Sequence, residues 1–339
     1  MSQSLFQTPE TDYAGKLAAI AAKLRGHDGF IAIVSHVEAD GDALGSCLGL
    51  QRALTALGKD ARTFMNVPRY LRFLPREGEV LAPVSRIGEL PENTLLVVLD
   101  VDNNDHVRVE GAPTADFDGF VINVDHHGTN RRQASLSLVE PAKAAAALMI
   151  KELVDALEVS WTAGIAHPVL TGIITDTGSF KFSNTTPEVL RTAAKLVEYG
   201  ADLAGINDNL AQQPRNYYPL LGSVLRTVEY GMNDLVVSAH VNEAMLQEVG
   251  AGWEEVESFV SVIRSAEGTE LAALFKDFGD HVKLSLRSRG RVSAQNIAVA
   301  CGGGGHVAAA GATMHMPYAE ARARFEEQAR LELKRVGLL

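Results

Sequence analysis

Apolar positions in this chain fall into short, uniformly apolar runs separated by longer stretches of helical periodicity. Residues 30–34, 95–99 and 120–124 are the runs, and each reads as a strand buried on both faces; residues 60–65 read as a further strand. Helical patterns cover 14–24, 43–57, 141–158, 161–174, 187–199 and 202–210. Gly58 suits the end of the second of these, and Thr186-Pro187 gives the fifth an N-cap and a proline at its first position. Residues 67–92 are rich in proline and charge and predict an irregular connection with short helical turns. Apolar strands alternating with helices predict an α/β fold with a doubly wound parallel sheet.

The pattern changes after the polar stretch Gln212-Gln213-Pro214-Arg215-Asn216. Residues 235–241, 270–275 and 281–286 read as strands, the last two paired through a turn at Gly279-Asp280. Helices fit 245–249, 253–263, 294–300 and 319–336; in the last, Ala321, Phe325, Ala329 and Leu333 repeat every four residues and should face a core. The expected organisation is an N-terminal domain over 1–200, a helical linker over 201–216 and a smaller mixed α+β domain over 217–339, with the active site in the cleft between them.

At 339 residues the chain has room for two domains of ordinary size. It holds two cysteines, Cys47 and Cys301, both in apolar helical surroundings, which fits small core residues in a reducing compartment. No apolar run reaches membrane-spanning length, and the first residues lack the charged-then-apolar pattern of a secretory signal, so a cytoplasmic protein is expected. The formal net charge of −11 argues against a general binder of long nucleic acid but leaves room for short phosphorylated substrates met by a local basic pocket.

Acidic and imidazole groups recur where strands end. His36, Asp40 and Asp42 follow the first strand, Asp100 and Asp102 the third, and Asp125-His126-His127 the fourth; Asp176 lies in a polar turn after a helix. Any one of these could be a solvated loop or a helix cap. Parallel strands place their carboxyl ends side by side, however, so together the groups can converge on a divalent cation. Gly41 is expected to turn the chain tightly between the two aspartates. In the second half, Arg287-Ser288-Arg289-Gly290-Arg291 offers guanidinium groups suited to phosphate, against the alternative of a charged hairpin tip. The run Gly302 to Gly305, followed by His306 and a possible helix start there, could form an anion cradle, against the alternative of a flexible turn.

These residues carry a resemblance. HxxxDxD at 36–42, Asp100 at a strand end, the triplet 125–127 and Asp176 in a DTG turn resemble the DHH phosphoesterase superfamily, and GGGGHxxAAG at 302–311 looks like its DHHA1 C-terminal module. The combination is similar to the stand-alone branch that trims nanoRNA and dephosphorylates 3′-phosphoadenosine 5′-phosphate (pAp). The resemblance implies two divalent ions, Mn²⁺ ahead of Mg²⁺: one held by His36, Asp40 and Asp100, the other by Asp42, Asp100, His126 and Asp176. It implies catalytic roles for His127 at the scissile phosphate, for Asp125 in orienting its neighbours and for the bridging Asp100. It further implies that Arg287, Ser288, Arg289, Gly303, Gly304, Gly305 and His306 bind substrate, that short single-stranded oligonucleotides and pAp are the partners, and that a homodimer is possible.

The chain departs from the family pattern in two places. Ala142 to Met149 replaces a small-polar run followed by Glu, which puts family contacts from that helix in doubt. Asp100 is followed by Val101-Asp102-Asn103-Asn104-Asp105, whose extra acids are expected to face solvent. Rival readings are a cyclic or linear dinucleotide phosphodiesterase, a single-strand exonuclease, and a non-catalytic nucleotide- or RNA-binding module. The GGGGH segment argues against a family II pyrophosphatase.

Overall fold

The computed structural model describes residues 12–84, 86–103, 105, 109 and 117–339. Asn104, in the acidic stretch above, lies outside them. The chain divides into two compact units, one ending at Gln212 and one beginning at Gln213.

The first unit is built on a six-stranded sheet of β1 (Ile31–Val34), β2 (Ala61–Phe64), β3 (Val80–Leu81), β4 (Leu95–Leu99), β5 (Val121–Asp125) and β6 (Leu136–Val139), in the order β3-β2-β1-β4-β5-β6. Every pairing is parallel. The chain runs outward from β1 through β2 to β3, then restarts at β4 and runs the other way. The topological switch point therefore lies between the carboxyl ends of β1 and β4, where such sheets bind ligands. Burial explains the apolar runs: Ile31 and Ile33 join the large helical core, while Ala32 and Val34 pack with Leu96, Val98 and Val121 in a second cluster.

Helices α1 (Tyr13–Gly26), α2 (Gly41–Ala56), α3 (Ala146–Ala156), α4 (Ala163–Asp176), α5 (Pro187–Glu198) and α6 (Leu203–Ala211) all contribute to that core. Thr186 caps α5 and Pro187 opens it, as the sequence predicts. The expected helix over 141–158 begins only at Ala146, because Ala142 and Lys143 instead turn back onto Glu140. Helix α4 extends through Asp176, so this acid is the last helical residue rather than part of a following turn. Residues 203–211, expected in a linker, bury Ile206 in the core of the first unit.

The second unit has a mixed sheet of β7 (Glu229–Gly231), β8 (Val236–Asn242), β9 (Leu271–Asp277), β10 (Val282–Ser288), β11 (Gly304–Gly305) and β12 (Ala309–Met314), in the order β11-β12-β10-β9-β8-β7. Strand alternation divides its faces. Leu271, Ala273 and Phe275 meet α10 (Ala294–Ala300) and α11 (Tyr318–Arg335), and Ala272 and Leu274 meet α7 (Tyr217–Leu225), α8 (Glu243–Val249) and α9 (Phe259–Ile263). Ala321, Phe325, Ala329 and Leu333 of α11 are buried, as their spacing predicts. The expected helix 253–263 is divided into a 3₁₀ turn and α9.

No helix begins at His306. Gly304 and Gly305 form a short strand antiparallel to Gly311 and Ala310. Close backbone packing accounts for two of the glycines: a Cβ at Gly303 would lie 2.0 Å from the carbonyl oxygen of Gly311 and one at Gly305 2.6 Å from Ala310 Cα, whereas a Cβ at Gly304 would meet nothing within 4 Å. Both cysteines are buried and unpaired. Among the described residues, no helix is long and apolar enough to cross a membrane.

Candidate metal centre

The loops after β1, β4 and β5 and the end of α4 bring their acids and histidines together. Asp40 caps α2, its Oδ1 accepting from the backbone N–H of Asp42 at 2.9 Å and of Ala43 at 3.0 Å, and it also stands 4.0 Å from His36 Nε2. The cap and ligand readings of Asp40 are therefore compatible. Gly41 opens α2 with no left-handed backbone. Glycine is needed there because a Cβ would sit 2.3 Å from Thr175 Cγ2 of α4, which corrects the expected tight turn.

Asp42 is fully buried, and its oxygens accept from the N–H groups of Ala146 at 2.6 Å and Ala147 at 2.8 Å. The N-terminus of α3 thus meets a carboxylate with its orphan donors. The contact is made by main chain, so alanines suffice at 146 and 147.

Asp100 is central. It is 2% exposed and adopts the left-handed region with φ 60°, a conformation that Asp tolerates better than most residues and that clusters at functional sites. Its Oδ2 lies 3.5 Å from His36 Nε2, and its Oδ1 lies 3.3 Å from His126 Nε2 yet accepts no directed hydrogen bond. A buried carboxylate oxygen without a hydrogen-bond donor calls for another positive partner. His126 Nδ1 lies 3.2 Å from the carbonyl of Lys143, which can only accept; this places the proton on Nδ1 and turns Nε2 toward Asp100 and, at 3.3 Å, Asp176. Ligand atoms fall into three overlapping sets: His36, Asp40 and Asp100; Asp42, His126 and Asp176; and Asp100, His126 and His127. A carboxylate ending α4 is disfavoured by the helix dipole, so Asp176 is better explained as a ligand than as a helix-stabilising group. This donor set of carboxylates and imidazoles fits divalent cations.

Asp125 takes no place in these sets. Buried at the end of β5, it accepts from the backbone N–H of His127 at 3.0 Å and from His127 Nδ1 at 2.7 Å. Asp102 does not face solvent: it accepts from the N–H and, at 2.8 Å, the Nε of Arg131, so its charge is matched locally.

In the second unit, Arg287 and Ser288 end β10 beside Ala309 and Ala308, close in sequence to His306. Ser288 is 1% exposed and its hydroxyl donates to the carbonyl of Val307, so it builds the loop. Arg264, unmarked in sequence, donates to the Ser288 carbonyl and accepts from Arg289 at its own carbonyl. Burial, and after it Arg289, lowers the pKa of Arg264; burial is likewise the main cause lowering that of Arg287. Among the charges that act on Arg287, Glu257 raises its pKa and Arg264 lowers it further.

Residues 30–173 match the model of the DHH family, N-terminal domain, and residues 236–334 that of the DHHA1 domain. The bifunctional oligoribonuclease and PAP phosphatase NrnA of Thermus thermophilus is 49% identical over 98% of this chain and 98% of its own. The chain belongs to the DHH–DHHA1 family. A second NrnA, from Bacillus subtilis, is 27% identical to this family member over 83% of the chain and 88% of its own length. The fold matches an exopolyphosphatase-related protein of Bacteroides fragilis (TM-score 0.84, 21% identity, 96% of this chain and 99% of that one). It also matches RecJ of Thermus thermophilus in complex with Mn²⁺ (TM-score 0.56, 18% identity, 96% of this chain and 56% of that one).

Electrostatics of the DHH domain follow from crowding. Burial, and then the charge of Asp100, pushes Asp42 up to about 7. Burial followed by Asp42 raises Asp176. For Asp100 burial acts upward, but His126 and His36 outweigh it and hold the carboxyl well below its usual range. Burial acts against charge on His126, yet Asp100 and the neighbouring acids raise it well above an ordinary histidine. A folded pKa above the unfolded value, near 4 for Asp and 6.5 for His, means that the group takes up protons on folding; its stabilisation is present at low pH and is lost as pH rises through the folded value. With chelator, the melting temperature should therefore fall between about pH 4 and 7 as Asp42 loses its proton, with the raised Asp176 and His126 acting in the same direction. A divalent cation replaces those protons, so its stabilising shift should grow over the same range. Thermal melts with Mn²⁺ and with chelator at each pH check this; a shift that shrinks with pH would contradict it.

Proposed function

We propose that this chain is a Mn²⁺-dependent phosphoesterase that cuts very short oligonucleotides to mononucleotides and converts pAp to AMP. As a DHH–DHHA1 protein it is a hydrolase acting on phosphate ester bonds. One observation carries the reading: buried Asp100 directs its two oxygens to two different histidine sides of one acidic cluster, in a chain that is 49% identical to an oligoribonuclease and PAP phosphatase. Two ions fit the ligands, one at His36, Asp40 and Asp100 and one at Asp42, Asp100, His126 and Asp176. Nitrogen donors from two histidines favour Mn²⁺ over Mg²⁺. Buried unpaired thiols at Cys47 and Cys301 suit the reducing cytoplasm.

Divalent cations supply Lewis acidity at the phosphoryl group and make an attacking water acidic. The protein's own groups do the rest. Asp125 holds His127 through Nδ1, so that Nε2 is the nitrogen offered to the oxygens of the scissile phosphate. Arg287 and Arg289, with the segment Gly303 to His306, hold a second phosphate of the substrate. A dinucleotide and pAp share this pattern, a phosphate ester beside a second phosphate.

Arg287→Ala should raise KM by about 10–100-fold, the worth of a charged hydrogen bond, and change kcat only slightly. A variant with unchanged KM and lowered kcat would remove the gripping role. The whole reading is tested by incubating the protein with pApA and separating products by ion exchange, with Mn²⁺ and with chelator. AMP formed only with metal supports it; intact pApA in a protein shown to bind Mn²⁺ would refute it.

A further inference from the structure

Asn123 and Asn130 have no part in the ligand sets, yet they are fully buried beside them. Asn123 Nδ2 lies 3.0 Å from the carbonyl of Val98 and 2.8 Å from that of Val101, the residues on either side of Leu99-Asp100. Carbonyls only accept, so the Asn123 amide nitrogen must face them and its Oδ1 must face Asn130. Asn130 Nδ2 then donates to Asn123 Oδ1 at 2.7 Å and to Asp125 Oδ2 at 2.6 Å. Its own Oδ1 accepts from the N–H of Arg132 at 2.8 Å. The orientation of both amides is thereby determined. The other oxygen of Asp125 holds the Nδ1 and N–H of His127.

We propose that Asn123 and Asn130 are positioning residues that set the orientation and tautomer of His127 through Asp125. They tie it to the main-chain turn that presents Asp100. The relay rests on the role of His127 given above. Its logic is that of other buried carboxylate–imidazole pairs: the carboxylate orients the ring only if it is itself held, and both free rotation of Asp125 and its surplus lone pairs are removed by the Asn130 amide. Asn130→Ala leaves every ligand in place but frees Asp125 Oδ2.

Asn130→Ala should lower kcat on pApA by about 10–100-fold, the usual cost of removing such a support. KM and the Mn²⁺ content per chain should stay unchanged. A purely structural role would instead lower melting temperature and metal content together. The decisive form is a double-mutant cycle with His127→Ala. In that background Asn130→Ala should cost less than about threefold further, because both changes act through one group. Full additivity would overturn the relay. His127→Ala with undiminished kcat is a different failure: it would remove the reading of His127 and the relay with it. A readout without metal comes from long-range 1H–15N spectra of the chelated protein. His127 should be the Nδ1–H tautomer in the parent and a mixture in Asn130→Ala; one unchanged tautomer would overturn the proposal. If Asn130→Ala does not fold, Asn130→Ser and Asn123→Ser enter the same cycle with the same expectation.

Discussion

Asp100→Asn should abolish turnover of pApA, by at least about 10³-fold, the scale reached when a preorganised charge-stabilising group leaves an active site, and should strip bound Mn²⁺ from the chain. The substitution keeps shape and removes charge. Asp100 is the one carboxylate whose two oxygens face both histidine sides of the cluster. Replacing one oxygen by an NH₂ puts a donor against His36 or His126 and leaves three neighbouring aspartates, Asp40, Asp42 and Asp176, with less reason to hold cations. Losing the pairing with His36 and His126 should lower the melting temperature in chelator, while circular dichroism should still report the parent's secondary structure. Measured metal content and rate decide the matter: an active variant with two bound ions would end the bridging role.

His127→Ala should leave Mn²⁺ binding nearly intact and lower kcat by about 10²–10³-fold, the loss typical of one charge-stabilising donor. The contrast with Asp100 is the point. His127 can reach Asp100, its Nδ1 lying 3.6 Å from Oδ1, but that nitrogen is already given to Asp125 at 2.7 Å. Through Nδ1 it is therefore a poor metal ligand, and the pairing makes it a well-held ring. Metal analysis alongside steady-state rates separates the two roles. Loss of metal together with rate would show that His127 ligates a cation, and the set Asp100, His126 and His127 would then be the working one.

Where the sequence was legible, burial or charge made it so. Strands β1 and β4 are packed on both faces and so carry no polar residue to confuse the reading. Strand β6 was missed because Leu136-Ser137-Leu138-Val139 is short and interrupted by Ser137. The acids and histidines of the metal centre stood out because charged groups at the ends of buried strands are costly without a purpose. Main-chain contacts leave no such mark: Ala146 and Ala147 donate to Asp42 through their N–H groups, so nothing in their side chains announces it. Asn123 was equally silent, since one amide in an apolar strand acquires meaning only from Val98 and Val101, distant in sequence. Asn130, three residues beyond His127, is near enough in sequence to be weighed as a hydrogen-bond donor to Asp125. The helix start expected at His306 is absent because a glycine can serve an open turn or a tight contact equally well, and only the neighbouring strand β12 decides.

Whether this cluster is a working two-ion centre decides the function proposed for the chain. Metal-free protein titrated with Mn²⁺, with bound ions per chain and AMP release from pApA followed in the same samples, measures that directly. Two ions per chain are expected, with activity rising as the second site fills. AMP release at full rate in chelator, or saturation with no ion bound, would contradict that expectation.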